Sequence, residues 1–139
     1  MNADQIAKLK KISQQLRKSV IRELSEAGSG HSAGCLGFAD VMAVLYFYAM
    51  RLDPENSNWE YRDIFVMSNG HYAPLLYATL AERGFFDKKE LVNLRKFGSK
   101  LQGHPERGSL PGIETTSGPL GCGLSQAAGM AYSLQYLGG

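Results

Sequence analysis

Gly112-Ile-Glu-Thr-Thr-Ser-Gly-Pro-Leu-Gly-Cys-Gly123 is a glycine-rich stretch that runs directly into an apolar, helix-like segment, Leu124 to Tyr136. Gly118, Gly121 and Gly123 let the backbone take dihedrals closed to other residues and come close to a second surface. A loop that opens a helix in this way points unpaired N–H groups outward at the positive end of the helix dipole. That geometry serves as a plain helix start, and it also favours a bound anion, most often a phosphate. The stretch carries neither Lys nor Arg. Any anion held there needs help from elsewhere, and the histidines are the candidates.

The chain has three histidines, and each follows a glycine: Gly30-His31, Gly70-His71 and Gly103-His104. Glycine and histidine occur together in loops where the backbone turns tightly beside a working side chain. One such pair alone is an ordinary surface turn. Three of them, with the glycine loop, predict loops that converge on a single ligand. Three imidazoles also suit a zinc site with an open position for water, although no two of them have the spacing of a helical metal pair.

Working outward, the residues before His71 give the one expected strand. Ile64-Phe-Val-Met-Ser68 is short, apolar and β-prone, with turn residues after it. Helix Tyr72 to Glu82 follows, with Pro74 in its first turn and Gly84 at its end. His71 therefore sits at a strand-to-helix switch, where α/β folds hold ligands beyond the carboxyl end of a strand. Asp87-Lys-Lys-Glu90 resembles a capping box opening a helix to Phe97. Gly98 to Gly123 is mostly loop, of a length that is functional or disordered in a compact domain. Glu106 and Glu114 in it are solvated carboxylates by default.

Toward the N-terminus, Ile6, Leu9, Ile12, Leu16, Val20 and Leu24 recur at helical spacing over Gln5 to Ala27, leaving Lys8, Lys11, Lys18 and Arg22 outside. Asp4 is the expected cap and Gly28 the expected stop. Phe38 to Met50 is apolar nearly all round and reads as a buried helix, with Asp40 in its first turn. Helices around an apolar strand give an α/β class with a parallel sheet. One strand cannot make a sheet, because its backbone groups would lack partners. The expected fold is thus an incomplete one, with further strands outside this chain.

With 139 residues, 44% hydrophobic and 20% charged, the chain is one domain or part of one, long enough to bury a core. A net charge of +2 gives no argument for nucleic acid. The apolar run Val41 to Met50 is too short to cross a bilayer, and no signal peptide is expected. Cys35 and Cys122 lie in no CxxC pair, which fits a reduced, cytoplasmic setting.

Five motifs in order resemble the N-terminal, thiamine diphosphate-binding section of the transketolase family. They are Gly-Ser-Gly-His-Ser-Ala-Gly at 28–34, Ser-Asn-Gly-His at 68–71, Leu-Gln-Gly-His-Pro-Glu at 101–106, Pro-Gly-Ile-Glu at 111–114 and Thr-Ser-Gly-Pro-Leu-Gly at 116–121. Leu80 to Phe86 and Leu94 to Gly98 also look like the family, so the resemblance spans nearly all of residues 1–139. It implies a partial thiamine-diphosphate-binding fold, with helices packed on an incomplete parallel sheet. It further implies transfer of a two-carbon ketol unit between sugar phosphates, a step of the pentose phosphate pathway. His71, Gly118, Pro119 and Leu120 are then the expected cofactor-binding residues. His31 and His104 are the expected catalytic residues and contact the sugar substrate.

The family's metal-binding Gly-Asp-Gly and downstream Asn would lie beyond Gly139, and its catalytic glutamate in a separate domain. Ligands for Mg²⁺ or Ca²⁺ are therefore expected outside this chain, as is a complementary C-terminal section or subunit, in a dimer or other homo- or hetero-oligomer. A non-catalytic fragment or cofactor-binding module is the alternative. Ser32 stands where proline often follows the first histidine, and Cys122 where glutamine is usual. Both bear on substrate detail.

Overall fold

The computed structural model describes residues 1–137, and the side chains of residues 1–136. Four α-helices carry the fold: α1 (Ala3–Ala27), α2 (Ala33–Val44), α3 (Ala73–Arg83) and α4 (Cys122–Leu137). Helix α1 starts two residues earlier than the sequence predicts. Asn2, not Asp4, is its cap: the Asn2 side chain accepts from the Gln5 N–H at 2.9 Å, and the Gln5 side chain accepts from the Asn2 N–H at 2.8 Å. Gly28, at φ 64°, ends the helix in the left-handed conformation.

Helix α2 begins at Ala33, so much of the glycine-rich loop before Phe38 is helical. The reason is packing: Cys35, Ala39, Met42, Ala43 and Tyr46 recur at helical spacing and are all buried. The helix then widens into one π turn, Leu45–Ala49. Its other face is open, with Val41, Val44 and Tyr48 exposed, so it is amphipathic rather than buried all round. Arg17 of α1 holds Asp40 of α2 at 2.8 Å and donates to the Leu36 carbonyl at 3.0 Å, which joins the two helices.

Helix α3 is the centre. Every residue from Ala73 to Ala81 is buried, and α1 and α2 pack on it. Full burial of each Leu or Tyr there is worth roughly 1.5–3 kcal/mol, which outweighs local propensity. Its polar side chains are satisfied internally: the Thr79 hydroxyl donates to the Leu75 carbonyl at 2.7 Å, and the Tyr77 hydroxyl to the Gln102 carbonyl at 2.9 Å. After Gly84 the expected helix to Phe97 is only a 3-10 turn, Lys88–Asn93, whose cap Asp87 accepts from the Lys89 N–H at 2.9 Å.

The expected strand is a correction, and a parallel sheet is not shown among the described residues. Ile64 to Ser68 forms no strand, and no strand occurs among the described residues. Phe65 and Met67 do pack on the core, with the Phe65 and Tyr46 rings 5.5 Å apart. Side-chain composition selects where the segment lies, but a ladder also needs a neighbouring strand to exchange hydrogen bonds. None is present among the described residues.

Candidate functional site

Two of the histidines sit in short turns that leave a helix or lead into one, and the third sits in the long loop before α4. His31 is in the turn between α1 and α2. His71 lies in a 3-10 turn, Gly70–Tyr72, that feeds α3. His104 is in the loop that the Tyr77 hydroxyl fastens to α3 through the Gln102 carbonyl. Because α1 and α2 both pack on α3, the three turns come out side by side. The His31 and His71 ring centres are 5.3 Å apart, and those of His71 and His104 are 6.5 Å apart. The Tyr72 ring stands edge-on to His71 at 5.1 Å.

The glycine loop joins this group through the backbone. A Cβ built at Gly70 would lie 2.4 Å from the Ser117 carbonyl oxygen and 2.8 Å from the Gly118 nitrogen. Only a residue without a side chain allows the His71 turn to come so close. A Cβ at Gly118 would sit 3.9 Å from the His104 ring. The Ser117 N–H donates to the Pro105 carbonyl at 3.1 Å, tying the glycine loop to the His104 loop. The Gly123 N–H donates to the Ser68 hydroxyl at 3.1 Å, which fixes the first turn of α4 against the segment before His71. His31, His71, His104 and Gly118 are thus brought together. Pro119 and Leu120 are exposed, with Leu120 at 71%.

An open cleft of about 540 Å³ runs beside this cluster, lined among others by Arg95, Gly103, His104, Thr116 and Ser117. The Ser117 hydroxyl is buried there and has no hydrogen-bond partner among the described residues. A larger cleft, about 660 Å³, lies against Phe85 and Phe97 and is lined by none of the histidines.

His104 is held below the ordinary imidazole pKa. Desolvation is the larger cause, and charge on His71, His31 and Arg95 adds to it. At neutral pH its ring is therefore predominantly neutral and can both donate and accept a hydrogen bond. Glu114 is not solvated: its carboxylate takes a two-pronged contact from Arg62, at 2.6 and 3.0 Å. Glu106 is exposed. Sequence reasoning missed Ser68, Tyr72, Arg95 and the unpartnered Ser117 hydroxyl, since single polar side chains carry no periodic signal.

The residues fit a phosphate-bearing cofactor. Imidazole donors, an orphaned hydroxyl and a glycine loop opening α4 are the groups that receive phosphate oxygens. They do not fit a metal ion: among the described residues no three His, Cys, Asp or Glu side chains form a group that could hold one.

Residues 8–138 match the family described as Transketolase, thiamine diphosphate binding domain. Mouse transketolase is 47% identical over 131 residues, covering 92% of this chain and 20% of that protein. The 6-deoxy-6-sulfo-D-fructose transketolase subunit SqwG of a Clostridium species is 42% identical over 120 residues, 86% of this chain and 44% of that subunit. The solved transketolase of Leishmania mexicana superposes with a TM-score of 0.89 at 37% identity, covering 93% of this chain and 19% of that one. The chain thus spans about one fifth of mouse transketolase. A zinc hydrolase, the other reading of three histidines, finds no support in either the side-chain arrangement or these relatives. Matched over nearly its whole length, the chain belongs to the transketolase thiamine diphosphate binding domain family.

Proposed function

We propose that this chain is the thiamine diphosphate-gripping section of a transketolase, serving two-carbon ketol transfer between sugar phosphates together with sections that it does not span. The observation that carries the reading is the meeting of the Gly70-His71 turn with the Ser117-Gly118 backbone. That contact brings the His71 turn against the loop that leads into α4, where the Ser117 hydroxyl is buried with no hydrogen-bond partner among the described residues. When bound, thiamine diphosphate supplies the carbon nucleophile and electron sink of the reaction.

His71 donates to a diphosphate oxygen, and the Gly118 region offers backbone N–H groups to the same cofactor. Pro119 and Leu120, exposed in this chain, give it apolar cover. His31 and His104 face the sugar, where they hydrogen-bond hydroxyl groups and an oxygen that gains negative charge. A neutral His104 can accept a hydroxyl proton and return it. Mg²⁺ or Ca²⁺ would be held by ligands outside the described residues. Free Cys35 and Cys122 support a reducing, cytoplasmic setting. An oligomer with a complementary C-terminal section or subunit belongs to the same proposal.

A second reading, a non-catalytic fragment with weak or no cofactor binding, is favoured by the small share of the relatives that the chain covers. Mixing the chain with a complementary C-terminal section, thiamine diphosphate and Mg²⁺ separates the two. Ketol transfer by the mixture, and by neither part alone, is expected. A stable assembly that transfers nothing would leave the fragment reading. Tight, metal-dependent calorimetric binding by this chain alone would remove the fragment reading.

A further inference from the structure

We propose that Arg95 is a positioning residue that clamps the His31 and His104 turns at a fixed separation. The proposal rests on the reading of those two histidines as substrate-facing, but its test needs neither cofactor nor activity. The Arg95 guanidinium lies between the two glycines that precede them. On one side, Nη1 donates to the Ser29 hydroxyl at 3.1 Å and stands 3.8 Å from where a Gly30 Cβ would be. On the other, Nε and Nη2 stand 2.9 and 3.3 Å from where a Gly103 Cβ would be. Any side chain at position 103 would push the guanidinium away. The clamp thus requires glycine at position 103, whereas a side chain at Gly30 would meet Leu24, 2.3 Å away, before it met Arg95.

The backbone at Arg95 is shaped for the same purpose. At φ 61° it is the one non-glycine residue with positive φ among the described residues, a conformation that costs of order 1 kcal/mol. Its N–H donates to the Leu101 carbonyl at 2.8 Å, closing the turn that aims the side chain back at Gly103. Arg95 forms no ion pair among the described residues, so no carboxylate draws the guanidinium elsewhere. A planar fork of donors can reach both turns at once, whereas a lysine ammonium is a single point.

The test is NMR on the whole 139-residue chain, comparing R95Q and R95K with the parent. In R95Q the His31–His71 inter-ring contact is lost, residues 29–31 and 103–104 relax faster, and His104 titrates at higher pH. In R95K the charge remains, so His104 titrates near the parent value, yet the inter-ring contact is still lost. Unchanged contacts and relaxation in R95Q would overturn the proposal. R95K matching the parent in every readout would reduce Arg95 to a mere charge and overturn it too. Should R95Q fail to fold, S29A removes only the acceptor and must loosen residues 28–31; unaltered relaxation there would count as refutation. Failure of cofactor binding would leave these readouts untouched.

Discussion

Replacing Glu23 with methionine should stabilise the chain, and by more as the pH rises. Glu23 lies on the apolar face of α1 and is 0% exposed. Neither carboxylate oxygen has a hydrogen-bond partner among the described residues. Burial pushes its pKa from 4.5 up to about 9. Its charge would bear on Cys35 of α2 and Tyr77 of α3, both already raised mainly by burial. In the unfolded chain the carboxyl ionises near its ordinary value. Between the two pKa values the folded state therefore holds a proton that the unfolded state has released.

Stability is therefore greatest below about pH 4.5 and falls as the pH rises toward about 9. The slope approaches about 1.4 kcal/mol per pH unit, so at pH 7.5 the loss is up to about 4 kcal/mol. That is a large part of the roughly 5–15 kcal/mol that holds a typical domain together. Methionine is unbranched and fills an irregular apolar site without a polar group. E23M should gain about 2–4 kcal/mol at pH 7.5 and much less at pH 5. E23Q should lose the same pH dependence but gain less, because its amide is still buried without partners. Urea unfolding followed by circular dichroism between pH 5 and pH 8.5 measures both. Parent and E23M curves that fall in parallel with pH would refute the reasoning.

Gly70→Ala would drive a methyl group into the Ser117 carbonyl, 2.4 Å away, and the chain must shift there. We expect a loss of about 1–3 kcal/mol in thermal unfolding, and at least a tenfold weaker cofactor titration by calorimetry. Glu114→Gln leaves the Arg62 guanidinium, only 16% exposed, without its carboxylate. Urea unfolding should show a loss of about 2–3 kcal/mol, partly restored when Arg62 is also replaced by methionine. The isolated chain should self-associate, because Leu124, Tyr132 and Tyr136 on α4 are 77%, 63% and 68% exposed. Sedimentation should show association that weakens when all three are changed to serine; a compact monomer at every concentration would contradict this.

What the sequence made legible follows from the range of each signal. The α1 stripe at Leu9, Leu16 and Val20 is local, repeated and buried as expected. Glu23 falls on that same stripe, three residues after Val20, so a carboxylate on the apolar face was readable. Its burial was not, because a residue on a helix flank can also turn outward. The Gly-His pairs were readable because a repeated dipeptide stands out even when its parts lie far apart. The pairing of Arg62 with Glu114 spans 52 residues, and that of Arg95 with Ser29 spans 66, with nothing repeated to mark them. The start of α2 was misplaced because Gly34 and Gly37 read locally as loop, while burial of Cys35 and Ala39 against α3 decides for helix. Ile64 to Ser68 has strand composition, yet pairing depends on a neighbour that no property of the segment supplies.

Titration of thiamine diphosphate with Mg²⁺ into isotope-labelled chain, followed by NMR, tests the convergence of these loops on one diphosphate most directly. The rings of His31, His71 and His104 and the Gly118 amide should shift together along one saturable curve, while Phe97, in the cleft that no histidine lines, stays still. Saturable shifts elsewhere, with those four groups unmoved, would contradict it.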